Sequence, residues 1–360
     1  IKLKDLKSGD KMNAPKLRFK EFNDEYINLK YKDVLKIKSG KDQKKVECES
    51  GIYPILGTGG QIGKTNSFLY DKPSVLIGRK GTINKPQYME TPFWTVDTLF
   101  YSHIYEPNIP KYLFYSFQNV NWKKYDESTG VPSLSSSTIE SVECNIPSKE
   151  EQLKVADFLS LLDKKIELQS KKIEDLKLFK KGLSTTIFNS LRDFEEYKLG
   201  KICNITTGKL DANAMIDNGK YRFYTCAKEY SLIDKYAFDT EALLISGNGA
   251  YVGYIHYYKG KFNAYQRTYV LDNFSQNIQF IKCYLEENLA KRINSEKKEG
   301  NTPYIVLSTL SDMVIKIPSK ENQIKISNII NCHNKKIELE ENKLLKLQEL
   351  KKGLMQSMFV

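Results

Sequence analysis

No apolar run in the 360-residue chain approaches the ~20 residues that a membrane-spanning helix requires. The opening Ile1-Lys-Leu-Lys-Asp5 has no apolar core of a secretion signal, so a cytoplasmic location and no membrane partner are expected. The six cysteines (Cys48, Cys144, Cys203, Cys226, Cys283, Cys332) form no close pair. Only His103, His256 and His333 accompany them, so no zinc spacing exists and free thiols are expected. Catalytic signatures are missing as well. There is no Walker A sequence, no His-Glu-x-x-His, no glycine-rich S-adenosylmethionine loop and no Asn/Asp-Pro-Pro-Tyr/Phe. Gly57-Thr-Gly-Gly-Gln-Ile-Gly63 fails as a dinucleotide loop because its third glycine falls one position late and no apolar-periodic helix follows. Carboxylates are plentiful, yet none forms a metal-binding pattern. Arginine is scarce too, with six among 56 basic residues.

What the chain does have is a long duplication. Residues 146–188 and 317–359 align without a gap at an offset of 171, with 19 identities in 43 positions. Both copies open Ile-Pro-Ser-Lys-Glu-x-Gln, pass through Lys-Lys-Ile-Glu-Leu and reach Lys-Lys-Gly-Leu. Solenoid units run about 20–50 residues, so this period signals two large equivalent halves, each a globular region followed by a helix. Pro147 and Pro318 stand where a helix start tolerates proline, and Ser148 and Ser319 are cap residues. Ser148 and Glu151 match a capping box; Asn322 leaves the second copy with the serine alone. Apolar residues follow at heptad spacing: Leu159, Leu162, Ile166, Ile173, Leu176 and Leu183, then Ile330, Ile337, Leu344, Leu347 and Leu354. Polar residues interrupt the two seams at matched places, Gln169 with Glu340 and Lys180 with Lys351, as a coiled coil of fixed register needs. Two copies separated by a globular domain most easily pair antiparallel.

The expected fold is therefore α+β. Two similar mixed α/β domains alternate with two long helices that pair as an antiparallel coiled coil, giving an internal pseudo-two-fold repeat. The boundaries read as a loose polar arm over 1–19, a first domain over 20–147, a helix over 148–193, a second domain over 194–318 and a second helix over 319–360. Within the domains, short apolar strands end in glycine turns. The domains align weakly at offset 168, Gly40-Lys41 with Gly208-Lys209, Gly51-x-Tyr53 with Gly219-x-Tyr221, and Leu76-Ile77 with Leu244-Ile245. The offset becomes 171 near their ends, where Pro132 matches Pro303.

A net charge of +12 makes a polyanion such as nucleic acid a candidate ligand. The turn after Ile77 offers Arg79 for a guanine edge or phosphate and Lys80 for phosphate. Its counterpart, Ser246-Gly-Asn-Gly-Ala-Tyr251, offers Ser246, Tyr251 and Asn248, the last suited to adenine. Gln266, Arg267 and Arg222 lie near the aligned strands. Lys41, Gln61, Lys64, Thr82 and Lys209 complete the candidate DNA contacts. No catalytic or metal-binding residue is expected.

Over almost its full length the chain resembles the specificity subunit of type I restriction–modification systems. The duplicated helices are similar to that family's central and C-terminal conserved regions. Lys16-Leu-Arg-Phe-Lys-Glu-Phe22 resembles its lead-in. Leu76-Ile-Gly-Arg-Lys-Gly-Thr82 and Leu244-Ile-Ser-Gly-Asn-Gly249 resemble elements of its target recognition domains. Tyr26 and Tyr197 stand where the family often has Trp. The resemblance implies a non-catalytic protein in which each recognition domain reads one half of a bipartite double-stranded DNA sequence. It also implies two modification subunits supplying S-adenosylmethionine-dependent adenine methylation, and two restriction subunits that join for ATP- and Mg-dependent cleavage. Two other readings stay open from the residues alone: a structural coiled-coil scaffold that binds protein, and a self-contained DNA methyltransferase or nuclease.

Overall fold

A computed structural model of the chain describes residues 3–5, 14–296 and 304–359. Pro303 and most of the expected arm lie outside the described residues. The chain divides into two compact units, Ile1–Ser170 with Asn342–Val360, and Lys171–Glu341. These units cut across the expected block boundaries, because each long helix is parted between them. Among the described residues, no helix is long and apolar enough to cross a membrane.

In the first unit a four-stranded antiparallel sheet runs in the order Leu35–Ser39, Leu99–Ile104, Ser74–Gly78, Gln87–Met89. A three-stranded sheet places Tyr53–Gly57 between Gly60–Thr65 and Trp94–Thr95, parallel to the latter. The second unit fuses the counterparts of both into one sheet of six: Asn204–Thr207, Thr268–Asp272, Phe238–Ser246, Ile255–Ala264, Tyr221–Tyr224, Ser231–Ile233. Proline explains the difference. Ile255–Ala264 is a single ten-residue strand, whereas its first-unit equivalent breaks into Gln87–Met89 and Trp94–Thr95 around Pro92, which has no N–H for a ladder. Each unit adds a two-stranded ribbon just before a repeat helix, Ile27–Lys30 with Glu143–Ile146 and Glu195–Lys198 with Val314–Ile317.

The first core gathers Tyr31, Phe117 and Trp122, with the Tyr31 ring 4.4 Å from Phe117 and 6.2 Å from Trp122. It reaches back into the stretch expected to be a loose arm, which is a correction. Phe19 is buried in this core, and Leu17–Phe19 pairs antiparallel with Leu3–Asp5. Arg18 is buried and donates through Nε and Nη2 to both carboxylate oxygens of Glu151, at 2.8 and 2.7 Å. Tyr26 donates to the same carboxylate at 3.0 Å. A charge expelled from water needs such a partner, so the segment is structural.

The two repeat helices span Lys149–Asn189 and Lys320–Met358. Ser148 and Ser319 accept from the backbone N–H of Glu151 and Asn322, both at 3.4 Å. The glutamine that closes each opening motif is a clamp. Gln152 accepts from the Ile109 N–H at 2.9 Å and donates to the Pro147 carbonyl at 3.0 Å. Gln323 does the same with Asn277 at 3.0 Å and Pro318 at 2.9 Å. Each clamp thus fastens its helix to the start of a domain helix, Pro110–Asn119 or Ile278–Glu296.

Within each unit the beginning of one repeat helix runs antiparallel to the end of the other. In the first unit Lys351 pairs with Asp163 at 2.5 Å; in the second Lys172 pairs with the buried Glu340 at 3.0 Å. Every expected seam residue is buried or half-buried. The helix ends also enter the cores. Phe359 packs 5.3 Å from Tyr112 beside Met355 and Met358, and its repeat equivalent Phe188 packs 5.3 Å from Tyr284.

Candidate nucleic-acid interface

The faint alignment of the two domains is a shared backbone. Gly40 and Gly208 occupy the same crowded place. A Cβ on Gly40 would lie 2.0 Å from the Val96 carbonyl oxygen, and one on Gly208 would lie 1.8 Å from that of Ala264. No side chain fits at either position, so the lysines that follow, Lys41 and Lys209, leave the strand ends at equivalent points. Both are exposed.

The two glycine turns are anchored identically. The Arg79 N–H donates to the Thr98 carbonyl at 2.8 Å, and the Arg79 carbonyl accepts from the Leu134 N–H at 2.9 Å. The Gly247 N–H donates to the Arg267 carbonyl at 2.9 Å, and its carbonyl accepts from the Ile305 N–H at 2.8 Å. Lys80 then bridges to Ser133 as Asn248 bridges to Tyr304. Gly81 (φ 95°) and Gly249 (φ 80°) follow in the left-handed region where glycine alone is unstrained. One rigid frame therefore presents Arg79-Lys80 in the first unit and Gly247-Asn248 in the second.

In the first unit Arg79 and Lys80 are exposed and line an open groove of about 480 Å³ with Ser39, Ser133 and Ser135. The loop opposite them was not found from sequence. Asp126 organises it, accepting from the Ser133 N–H at 2.9 Å, the Ser128 hydroxyl at 2.8 Å and the Ser128 N–H at 3.0 Å, and these donors hold its carboxyl below the ordinary range. The serine run from Ser133 to Ser137, capping the helix Ser136–Ser141, was the available signal. Lys41 is tied to the neighbouring strand, its N–H donating to the Thr95 carbonyl at 2.8 Å and its carbonyl accepting from the Trp94 indole at 3.0 Å. Gln61 stands exposed beside the Gly57–Gly60 turn, and Thr82 is half-buried. Lys64, grouped with these from sequence, is placed elsewhere: it pairs opposite Pro54, at the other end of its hairpin from the turn.

In the second unit Asn248, Tyr251, Gln266 and Arg267 come together around the glycine turn. Gln266 donates to Asp211 at 2.8 Å, and Lys228 lies 5.4 Å from the ring centre of Tyr251. Ser246 is a correction. It was expected as a readout residue, but it closes the strand Phe238–Ser246 and is wholly buried, so its hydroxyl faces protein. Arg222, expected near the aligned strands, lies on one of them and is half-buried against tyrosines.

Among the described residues no group of three or more His, Cys, Asp or Glu side chains could hold a metal ion. Burial pushes the Cys144 and Cys203 thiols up to about 12 and Cys283 to about 11.

Two stretches of the chain, 23–178 and 192–349, match the family model described as the type I restriction modification DNA specificity domain. The chain is 35% identical over 165 residues to the type I restriction enzyme EcoDI specificity subunit of Escherichia coli, which is 46% of this chain and 36% of that protein. It is 25% identical over 292 residues to the MjaIX specificity subunit of Methanocaldococcus jannaschii, covering 69% of this chain and 67% of that one. The crystal structure of a type I restriction–modification S subunit from M. genitalium shares the fold, with a TM-score of 0.71 at 19% identity over 96% of this chain and 99% of that chain. With both matched stretches carrying the same anchored turn, the chain belongs to the type I restriction modification DNA specificity domain family.

Proposed function

We propose that this chain is the non-catalytic reading subunit of a type I restriction–modification assembly, each of its units recognising one half of a bipartite double-stranded DNA sequence. The observation that carries this is the pair of turns: one backbone frame, fixed by the same hydrogen bonds, displays Arg79-Lys80 in one unit and Gly247-Asn248 in the other. A constant frame with exchanged side chains is suited to reading two unlike sequences at like depth. The net charge of +12 favours the duplex backbone, while the turn side chains supply base contacts.

The chemistry belongs to partners. Two modification subunits dock on the duplicated helices and bring S-adenosylmethionine for adenine methylation, and two restriction subunits bring ATP- and Mg-dependent translocation and cleavage, all in the cytoplasm. The isolated chain neither methylates nor cuts DNA. Mapping methylated adenines across the genome, with and without this gene, tests the reading. One bipartite motif disappears with the gene; an unchanged set of motifs overturns the proposal.

A further inference from the structure

Arg222 on the strand Tyr221–Tyr224 is a half-buried cation of the second unit, braced by aromatic rings. Its guanidinium carbon lies 4.3 Å from the ring centre of Tyr230 and 4.6 Å from that of Tyr258. An Nη of Arg222 donates to the Tyr224 hydroxyl at 3.4 Å. Two rings and a hydrogen bond fix the plane of the group while its remaining N–H donors stay available. The same chain neutralises other arginines, Arg18 on Glu151 and Arg292 on Glu296, but among the described residues no carboxylate pairs with Arg222. A positioned cation without a counter-charge is built to receive an acceptor from outside.

The cluster joins the readout face. The Tyr224 ring lies 5.0 Å from His256, and His256 lies 4.8 Å from Tyr254. The Tyr254 N–H in turn donates to the carbonyl of Tyr251, three residues beyond Asn248. The equivalent place in the first unit has no such cluster: Pro54 and Ile62 stand 168 residues before Arg222 and Tyr230, and Met89, paired opposite Ser74 as Tyr258 is opposite Ala242, takes the place of Tyr258.

We propose that Arg222 is a specificity-determining residue of the second unit, a pre-aimed fork that recognises the O6 and N7 acceptors of a guanine in that unit's half-site. This rests on the DNA-reading function proposed above. A phosphate requires charge, and the chain supplies charge with lysine, since only six of its 56 basic residues are arginine. Holding a guanidinium plane matters where two parallel hydrogen bonds must be made at once.

The test uses the full chain in complex with its modification subunits and reads methylated motifs genome-wide for Arg222→Lys and Tyr230→Ala. The lysine variant keeps charge and loses the fork. It leaves the first half-site unchanged and relaxes one G·C position of the second, with discrimination there falling roughly ten- to hundredfold. Tyr230→Ala frees the guanidinium and relaxes the same position by less. If methylation becomes too weak to map, competition binding with duplexes substituted at each position reads the same loss of discrimination. An even drop over an unchanged motif makes Arg222 a phosphate contact, and an unchanged motif at an unchanged rate makes it a packing residue; either overturns the proposal. If the wild-type complex methylates no bipartite motif, the functional reading itself has failed before the variants are compared.

Discussion

Arg79 and Asn248 occupy neighbouring places on one frame but offer different donors, so under the proposed function their losses separate by half-site. Arg79→Ala weakens recognition of the half-site read by the first unit by about 1–3 kcal/mol, the range of a bidentate base contact. Asn248→Ala acts on the other half-site alone. Competition binding with duplexes altered in one half at a time checks both, and equal weakening for all sequences reassigns the residue to a phosphate. Ser246→Ala leaves the methylated motif unchanged, because the hydroxyl it removes is wholly buried; any change of motif contradicts that placement. At this scale the sequence showed which turns correspond, because Gly40 and Gly208 are forced by backbone contacts that no side chain can share. It could not show that Ser246 points inward while Asn248, two residues on, is partly open. That distinction depends on strand register, which glycine spacing leaves undetermined. The tyrosine brace around Arg222 was equally hidden, since Tyr230 and Tyr258 come from different strands and loops.

The repeat helices were the most legible elements, because heptad spacing and serine caps are local signals. Their opening glutamines were visible as part of a repeated motif, but their purpose was not: each bonds to a backbone N–H some 43 or 46 residues earlier. Gln152→Ala removes the partner of the Ile109 N–H and of the Pro147 carbonyl. The expected cost is about 2–4 kcal/mol, from two backbone groups left unsatisfied. A lowered denaturation midpoint with an unchanged m-value is the signature. The helix ends carry a second test. Phe359 and Phe188 are 8% and 6% exposed, and truncation of a buried Phe to Ala costs about 3–5 kcal/mol. In hydrogen exchange, Phe359→Ala speeds opening of Pro110–Asn119 and spares Ile278–Glu296. Phe188→Ala does the reverse. Faster exchange in both helices from either change would show that the two cores are not separately closed.

For the molecule as a whole, a net charge of +12 makes the DNA affinity of the proposed function depend on salt. The logarithm of affinity falls linearly with the logarithm of salt concentration, and Lys41→Ala shallows that slope by about one if Lys41 meets a phosphate. An unaltered slope removes Lys41 from the interface. The division of the helices between the units has a consequence for the order in which the protein is made. Translation delivers the strands of the first unit early, yet Leu354, Met355, Met358 and Phe359 close that unit's core and are delivered late. At about 5–20 residues per second, the ribosome takes on the order of 10–40 s to travel from Leu159, the last of the early core residues, to Phe359. During that interval the second unit, whose segments are contiguous in the chain, has everything it needs, while the first waits with an open flank. The half synthesised first is therefore the half completed last, and the nascent chain meets the folding machinery of the cell with its first-made unit unfinished.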